Sequence, residues 1–187
     1  METFQYKGSS ELEKAFILAS GYAGNYPNLP DPDRTSLLFY GGVGTGKTHL
    51  AVAIAQGLLE RGIGCVFSDY RELLKRIQAT FDPTNPATEA GVVAPLLHAE
   101  VLILDDLGVG RATDWALETL HYILNHRYSQ RLATILTTNL EDLASSIEKR
   151  EAVLVQAVGE RLRSRLYEMC QFAGMHGEDY RQRGLTA

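Results

Sequence analysis

Cysteine, tryptophan and long apolar runs are all scarce in this 187-residue chain. Two cysteines, Cys65 and Cys170, cannot staple a small disulfide scaffold. Both lie in apolar surroundings, like small core residues of a protein from the reducing cytoplasm, and a bridge between them is the less favoured reading. The longest mainly apolar stretch, His49–Leu59, is too short to cross a bilayer, and its apolar spacing is helical. The first residues, METFQYKGSSELEKAF, lack a basic segment followed by an apolar core, so they do not read as a signal peptide. A formal net charge of −5 argues against indiscriminate binding to nucleic acid, which depends on neutralising phosphates. Zinc-ligand spacing is missing too: His49, His98, His121, His126 and His176 form no such pattern, and none is assigned to a metal.

What remains is an ordinary globular composition, 45% hydrophobic and 22% charged, at a length that suits one domain. Short apolar runs alternate with amphipathic stretches, the pattern of an α/β protein with a mainly parallel sheet. The periodicity predicts five strands, at Ser36–Tyr40, Cys65–Phe67, Val101–Leu104, Ala133–Thr137 and Met169–Ala173. Helices are expected over Ser10–Ala23, Lys47–Arg61, Tyr70–Thr80, Thr88–Leu97, Trp115–Tyr128 and Ala157–Tyr167. Asp69 and Asp114 are the expected caps of the third and fifth of these. The segment from Lys149 to Arg183 holds seven basic and five acidic residues, a locally basic tail in an acidic chain. Charge alone favours reading it as a solvated helix face.

The chemistry begins at residues 41–48, GGVGTGKT, between a predicted strand and a predicted helix. Gly41, Gly42, Gly44 and Gly46, with Val43 and Thr45 between them, let the backbone curl so that successive N–H groups face one anion. The helix N-terminus adds its partial positive charge there. Lys47 can reach the β- and γ-phosphates of a nucleotide, and the Thr48 hydroxyl can ligate Mg²⁺. His49 either touches the phosphate loop or packs within the helix. A second run, VLILDDLG at 101–108, carries two carboxylates to the C-terminal edge of a parallel strand. There Asp105 would hold Mg²⁺ and Asp106 would polarise an attacking water; by itself the run also suits a plain turn. Thr137-Thr138-Asn139 closes the neighbouring strand, where Asn139 either orients that water and senses the γ-phosphate or serves as a turn residue. In GERLRSRL, 159–166, Arg161 and Arg165 share a helix face. They read either as surface cations or as arginine fingers completing a neighbouring subunit's site.

Taken in this order, the motifs resemble the AAA+ ATPases, specifically the DnaC/DnaI-type replicative helicase loaders, with IstB-type transposition ATPases and DnaA as further relatives. The resemblance runs from TFQYKGSSELEKAF (3–16), similar to the family's segment beside the adenine pocket, to GEDYR (177–181). It implies a P-loop three-layer sandwich around a five-stranded, mainly parallel sheet, without a separate lid domain. The single domain would comprise a helix and linker at 1–35, a core at 36–173, and a sensor II segment and tail at 174–187. The resemblance assigns Walker B to Asp105 and Asp106, sensor I to Asn139, the arginine finger to Arg165 with Arg161 second, and sensor II to Arg181. It further implies that Leu74–Leu97 is a helical insertion beside single-stranded DNA, with Phe81, Thr113 and Trp115 as contacts; core packing is the competing reading for the two aromatics. ATP/ADP and Mg²⁺ are the implied cofactors. The implied partners are a ring helicase, single-stranded DNA and further copies of the chain, or a transposase on the IstB reading. A third possibility is a nucleotide-dependent switch with negligible turnover. The sequence departs from the pattern twice. Asp106 stands where most of these ATPases have Glu, which suggests slower hydrolysis. Met1 lies almost at the start of the ATPase core, where loaders usually carry a helicase-gripping domain, so the resemblance implies a fragment or a different partner contact.

Overall fold

The computed structural model describes Phe4 and residues 9–108, 113–141 and 154–182. Its order is α1 (Ser10–Asn25), β1 (Ser36–Tyr40), α2 (Lys47–Glu60), β2 (Cys65–Asp69), α3 (Tyr70–Ala79), α4 (Glu89–His98), β3 (Val101–Asp105), α5 (Asp114–Ser129), β4 (Ala133–Thr137), α6 (Leu154–Val158), α7 (Glu160–Met169) and β5 (Cys170–Gly174). A short 3-10 turn, Tyr180–Gln182, follows.

The strands form one parallel sheet in the order β2-β3-β4-β1-β5. Because side chains alternate across a strand, each central strand feeds both faces. Leu37, Phe39, Val101, Ile103, Ala133 and Ile135 point to one side, where α1 and α2 cover them with Leu12, Ala15, Ala19, Leu50, Ile54 and Leu58. Leu38, Leu102, Leu104 and Leu136 point to the other, beneath Leu73 and Ile77 of α3, Leu96 of α4, Ile123 of α5 and Leu162 and Leu166 of α7. This is the expected three-layer α/β sandwich. Near-continuous apolar runs such as VLIL at 101–104 follow from burial on both faces.

Three expectations about local structure need correction. The cap of α5 is Thr113, whose side chain accepts from the Ala116 N–H at 3.2 Å, and Asp114 is already helical. Both residue types cap well, so composition does not separate neighbouring positions. The expected helix Ala157–Tyr167 is two helices, broken at Gly159, whose φ of 78° no helix interior allows. Strand β2 runs two residues further than expected, to Asp69, which both ends the strand and caps α3 by accepting from the Glu72 N–H at 2.8 Å.

Candidate nucleotide site

In a parallel sheet every strand points its C-terminal end the same way, so the loops after β1, β2, β3 and β4 meet at one edge. There they line a cleft of about 530 Å³. Residues 41–46 turn from β1 into α2, with Gly46 in the left-handed region at φ 94° just before the helix. A Cβ on Gly46 would lie 2.6 Å from the Phe4 ring, so both the backbone and the packing require glycine. Phe4 stacks on Phe16 and approaches the His49 ring at 5.9 Å. Phe4, Leu12 and His49 thereby form an apolar wall on the α1 side of the cleft.

Lys47 is 6% exposed. Its ammonium donates to the carbonyls of Gly41 at 2.8 Å and Gly42 at 2.5 Å. Burial lowers its pKa from the ordinary lysine value to about 8, against the pull of Asp106, Glu141 and Asp105. The neighbouring Thr48 hydroxyl donates to both oxygens of Asp105, at 2.9 and 3.0 Å. Asp106 has a positive φ of 58°, a conformation that Asp adopts more readily than longer side chains. That preference gives a structural reason for the shorter acid at this position. Burial raises the Asp106 pKa, helped by Asp105 and Asp69 and opposed by Arg71 and Lys47. Asn139 donates its amide to Asp106 Oδ1 at 2.7 Å, joining the ends of β3 and β4.

The chain's last described segment returns to the same edge. Met175 N–H donates to the Tyr40 carbonyl at 2.8 Å, and Tyr180 N–H to the Gly44 carbonyl at 3.1 Å. His176 bridges Glu11 at 2.8 Å and Glu141 at 2.9 Å, tying this segment to α1 and to the loop after β4. Arg181, remote in sequence, thus lines the cleft beside Glu178 and Tyr180.

Other expected site residues lie apart. Arg161 and Arg165 sit on α7, outside the residues lining this cleft. Arg165 donates to the side-chain oxygen of Asn125, with its guanidinium 5.7 Å from the Tyr128 ring centre. Arg161 is exposed. Phe81, 57% exposed just beyond α3, meets the Trp115 ring edge-on at 5.8 Å. Thr113 has its hydroxyl engaged as the α5 cap. Of the basic tail, Lys149, Arg150 and Arg183 fall outside the described residues, as does most of 3–8. Sequence reasoning missed Asp69 and Thr137, both of which line the cleft. A polar residue ending a strand beside the Walker acids was the available signal.

The donor set fits a nucleotide with Mg²⁺. One buried lysine and a curled glycine loop face the phosphate position, and Thr48 and Asp105 present hard oxygens next to it. Among the described residues no group of three or more His, Cys, Asp or Glu converges as a metal cluster. Such a set suits a cation shared with ligand phosphates rather than caged by protein.

Parallel strand order, a phosphate loop after β1 and paired acids at the end of β3, with β4 between those two strands, define a P-loop ATPase fold of the AAA+ class. The family model described as IstB-like ATP binding protein matches residues 32–186, and the chain belongs to that family. It is similar to the phage-like element PBSX protein XkdC of Bacillus subtilis (strain 168), with 30% identity over 174 residues, 89% of this chain and 60% of that protein. It is also similar to the replicative helicase loader DnaC of Escherichia coli (strain K12), with 28% identity over 133 residues, 71% of this chain and 52% of that protein. A solved structure titled as the crystal structure of the DnaC helicase loader superposes with a TM-score of 0.74 and 30% identity, covering 93% of this chain and 95% of that one. The chain spans about half the length of the curated relatives it matches. Among the described residues no helix is long and apolar enough to cross a membrane.

Proposed function

We propose that this chain is an ATP-driven helicase loader of the cytoplasm that acts on single-stranded DNA. The observation that carries the reading is the convergence of Lys47, Thr48, Asp105, Asp106 and Asn139 on one cleft. The likeness to proteins named as helicase loaders supports the cellular role.

In this reading the loop 41–46 cradles the phosphates and Lys47 holds the β- and γ-phosphates. Thr48 and Asp105 hold Mg²⁺, which when bound neutralises charge on the phosphate oxygens. Asp106, kept in place by Asn139, takes the attacking water, while Arg181 approaches the phosphates from the C-terminal segment. Arg165, or Arg161 beside it, serves the cleft of a neighbouring copy, which accounts for its distance from its own. Phe81, exposed above a half-buried Trp115 that packs on the core, offers its ring for stacking on bases, a contact worth about 1–3 kcal/mol per base and tolerant of sequence.

The test is ATP turnover with single-stranded or duplex DNA, and with a replicative ring helicase present. We expect Mg²⁺-dependent phosphate release, stimulated more by single strands and lost in Lys47→Ala. Stimulation by duplex DNA and a transposase would instead favour the transposition role that the IstB-like match supports as a second reading. Tight ATP binding without turnover would leave a nucleotide switch.

A further inference from the structure

Thr137 ends β4 and is 2% exposed. Its hydroxyl stands between the two acids that follow one another at the end of β3. It donates to Asp105 Oδ1 at 2.5 Å and accepts the Asp106 backbone N–H at 2.9 Å. The polarity is fixed, because an amide only donates and an ionised carboxylate only accepts, leaving the single hydroxyl proton for Asp105. The main chain adds a parallel tie, with the Leu107 N–H donating to the Thr137 carbonyl at 2.8 Å.

We propose that Thr137 is the positioning residue of the nucleotide site. One hydroxyl orients the Asp105 carboxylate and also holds the left-handed turn that presents Asp106 to Asn139. The inference rests on the ATPase reading for its purpose, although the bonds are independent of it. Thr48 also donates to Asp105, but its oxygen is a candidate cation ligand and so has a competing use. Thr137 is buried, with its one proton committed to Asp105 and one lone pair to the Asp106 N–H. It therefore keeps Asp105 aimed whichever partner Thr48 takes. Valine would match the shape of threonine but remove a donor from Asp105 and the acceptor from Asp106 N–H. Serine would restore both.

Thr138 supplies the control. Its buried hydroxyl donates to the Leu107 carbonyl at 2.7 Å, stapling the same turn without touching either acid. If Thr137 were only a staple, removing either hydroxyl would have the same consequences.

The experiment compares the wild type with Thr137→Val, Thr137→Ser and Thr138→Val. Affinity for a fluorescent ATP analogue is measured with and without Mg²⁺, alongside the Asp106 amide exchange rate by NMR and the melting temperature. In Thr137→Val the Mg²⁺-dependent gain in affinity should fall about 10- to 100-fold, the usual cost of losing a partner that orients a metal ligand. Its Asp106 amide should exchange faster. Thr137→Ser should stay close to wild type in both, and Thr138→Val should lower only the melting temperature. A wild-type Mg²⁺ response with a protected Asp106 amide in Thr137→Val would overturn the proposal, as would an equal loss in Thr138→Val. Should valine prevent folding, Thr137→Ala read against Thr137→Ser gives the same comparison. If the wild type binds no nucleotide, the ATPase reading fails. The amide exchange then still decides whether the Thr137 hydroxyl holds the turn.

Discussion

Lys47 carries its charge in a nearly closed setting, and that setting makes it titrate close to neutrality. Burial lowers its pKa to about 8, so below that pH the ammonium is ready for a phosphate and above it the free protein must first take up a proton. The sign is opposite for stability. An unfolded chain binds this proton up to the ordinary lysine value, so Lys47's contribution to stability rises as pH climbs from about 8 towards 10.5. Ligand affinity falls across the same window. From these values the ATP dissociation constant should rise about tenfold between pH 7 and pH 9, and calorimetry in buffers of different ionisation enthalpy should detect proton uptake at pH 9. Lys47→Arg, charged throughout, should flatten the profile. A pH-independent dissociation constant in the wild type would count against a phosphate contact by Lys47.

At the scale of elements, a buried cation fastens three of them together. Arg127 is fully buried on α5 and donates to the carbonyls of Leu96 at 2.8 Å, Ala99 at 2.9 Å and Ala133 at 2.5 Å, and to Thr134 Oγ1 at 2.9 Å. It thus closes the end of α4 and the start of β4. Burial lowers its pKa to about 10, which leaves it charged at neutral pH. Arg127→Leu would strand these acceptors, and urea denaturation should register a loss of about 3–5 kcal/mol. A loss below about 1 kcal/mol would mean that water replaces the guanidinium.

The sequence was most legible where one force dominated. Strand β4 lies where its apolar run predicted, because burial on both faces demands such a run. The GGVGTGKT loop and the Asp105–Asp106 pair were legible because a phosphate cradle restricts residue type at each position. Arg127 was hidden because it occupies a core-facing helical position, in register with Leu120, Ile123 and Leu124, where periodicity expects an apolar side chain. The break at Gly159 was hidden because Leu162 and Leu166 continue the apolar stripe beyond it. Thr137 escaped because its role depends on β3 and β4 lying side by side, which no local pattern encodes.

Over the whole molecule, strand order decides what can meet. Cys65 opens β2 and Cys170 opens β5, at opposite edges of the sheet with three strands between them. At about 4.8 Å per strand spacing that is roughly 19 Å, which excludes a disulfide within the fold. The same order gathers Lys47, Thr48, Asp105, Asp106 and Asn139 at one edge, while α7 carries Arg161 and Arg165 away from the cleft. Sharing of the site between copies of the chain can be read by complementation. Lys47→Ala and Arg165→Ala should each lack DNA-stimulated phosphate release, whereas their mixture should recover part of it, because one intact phosphate loop then faces one intact arginine. Full activity in Arg165→Ala alone, or no recovery in a mixture shown to co-assemble, would contradict a shared site.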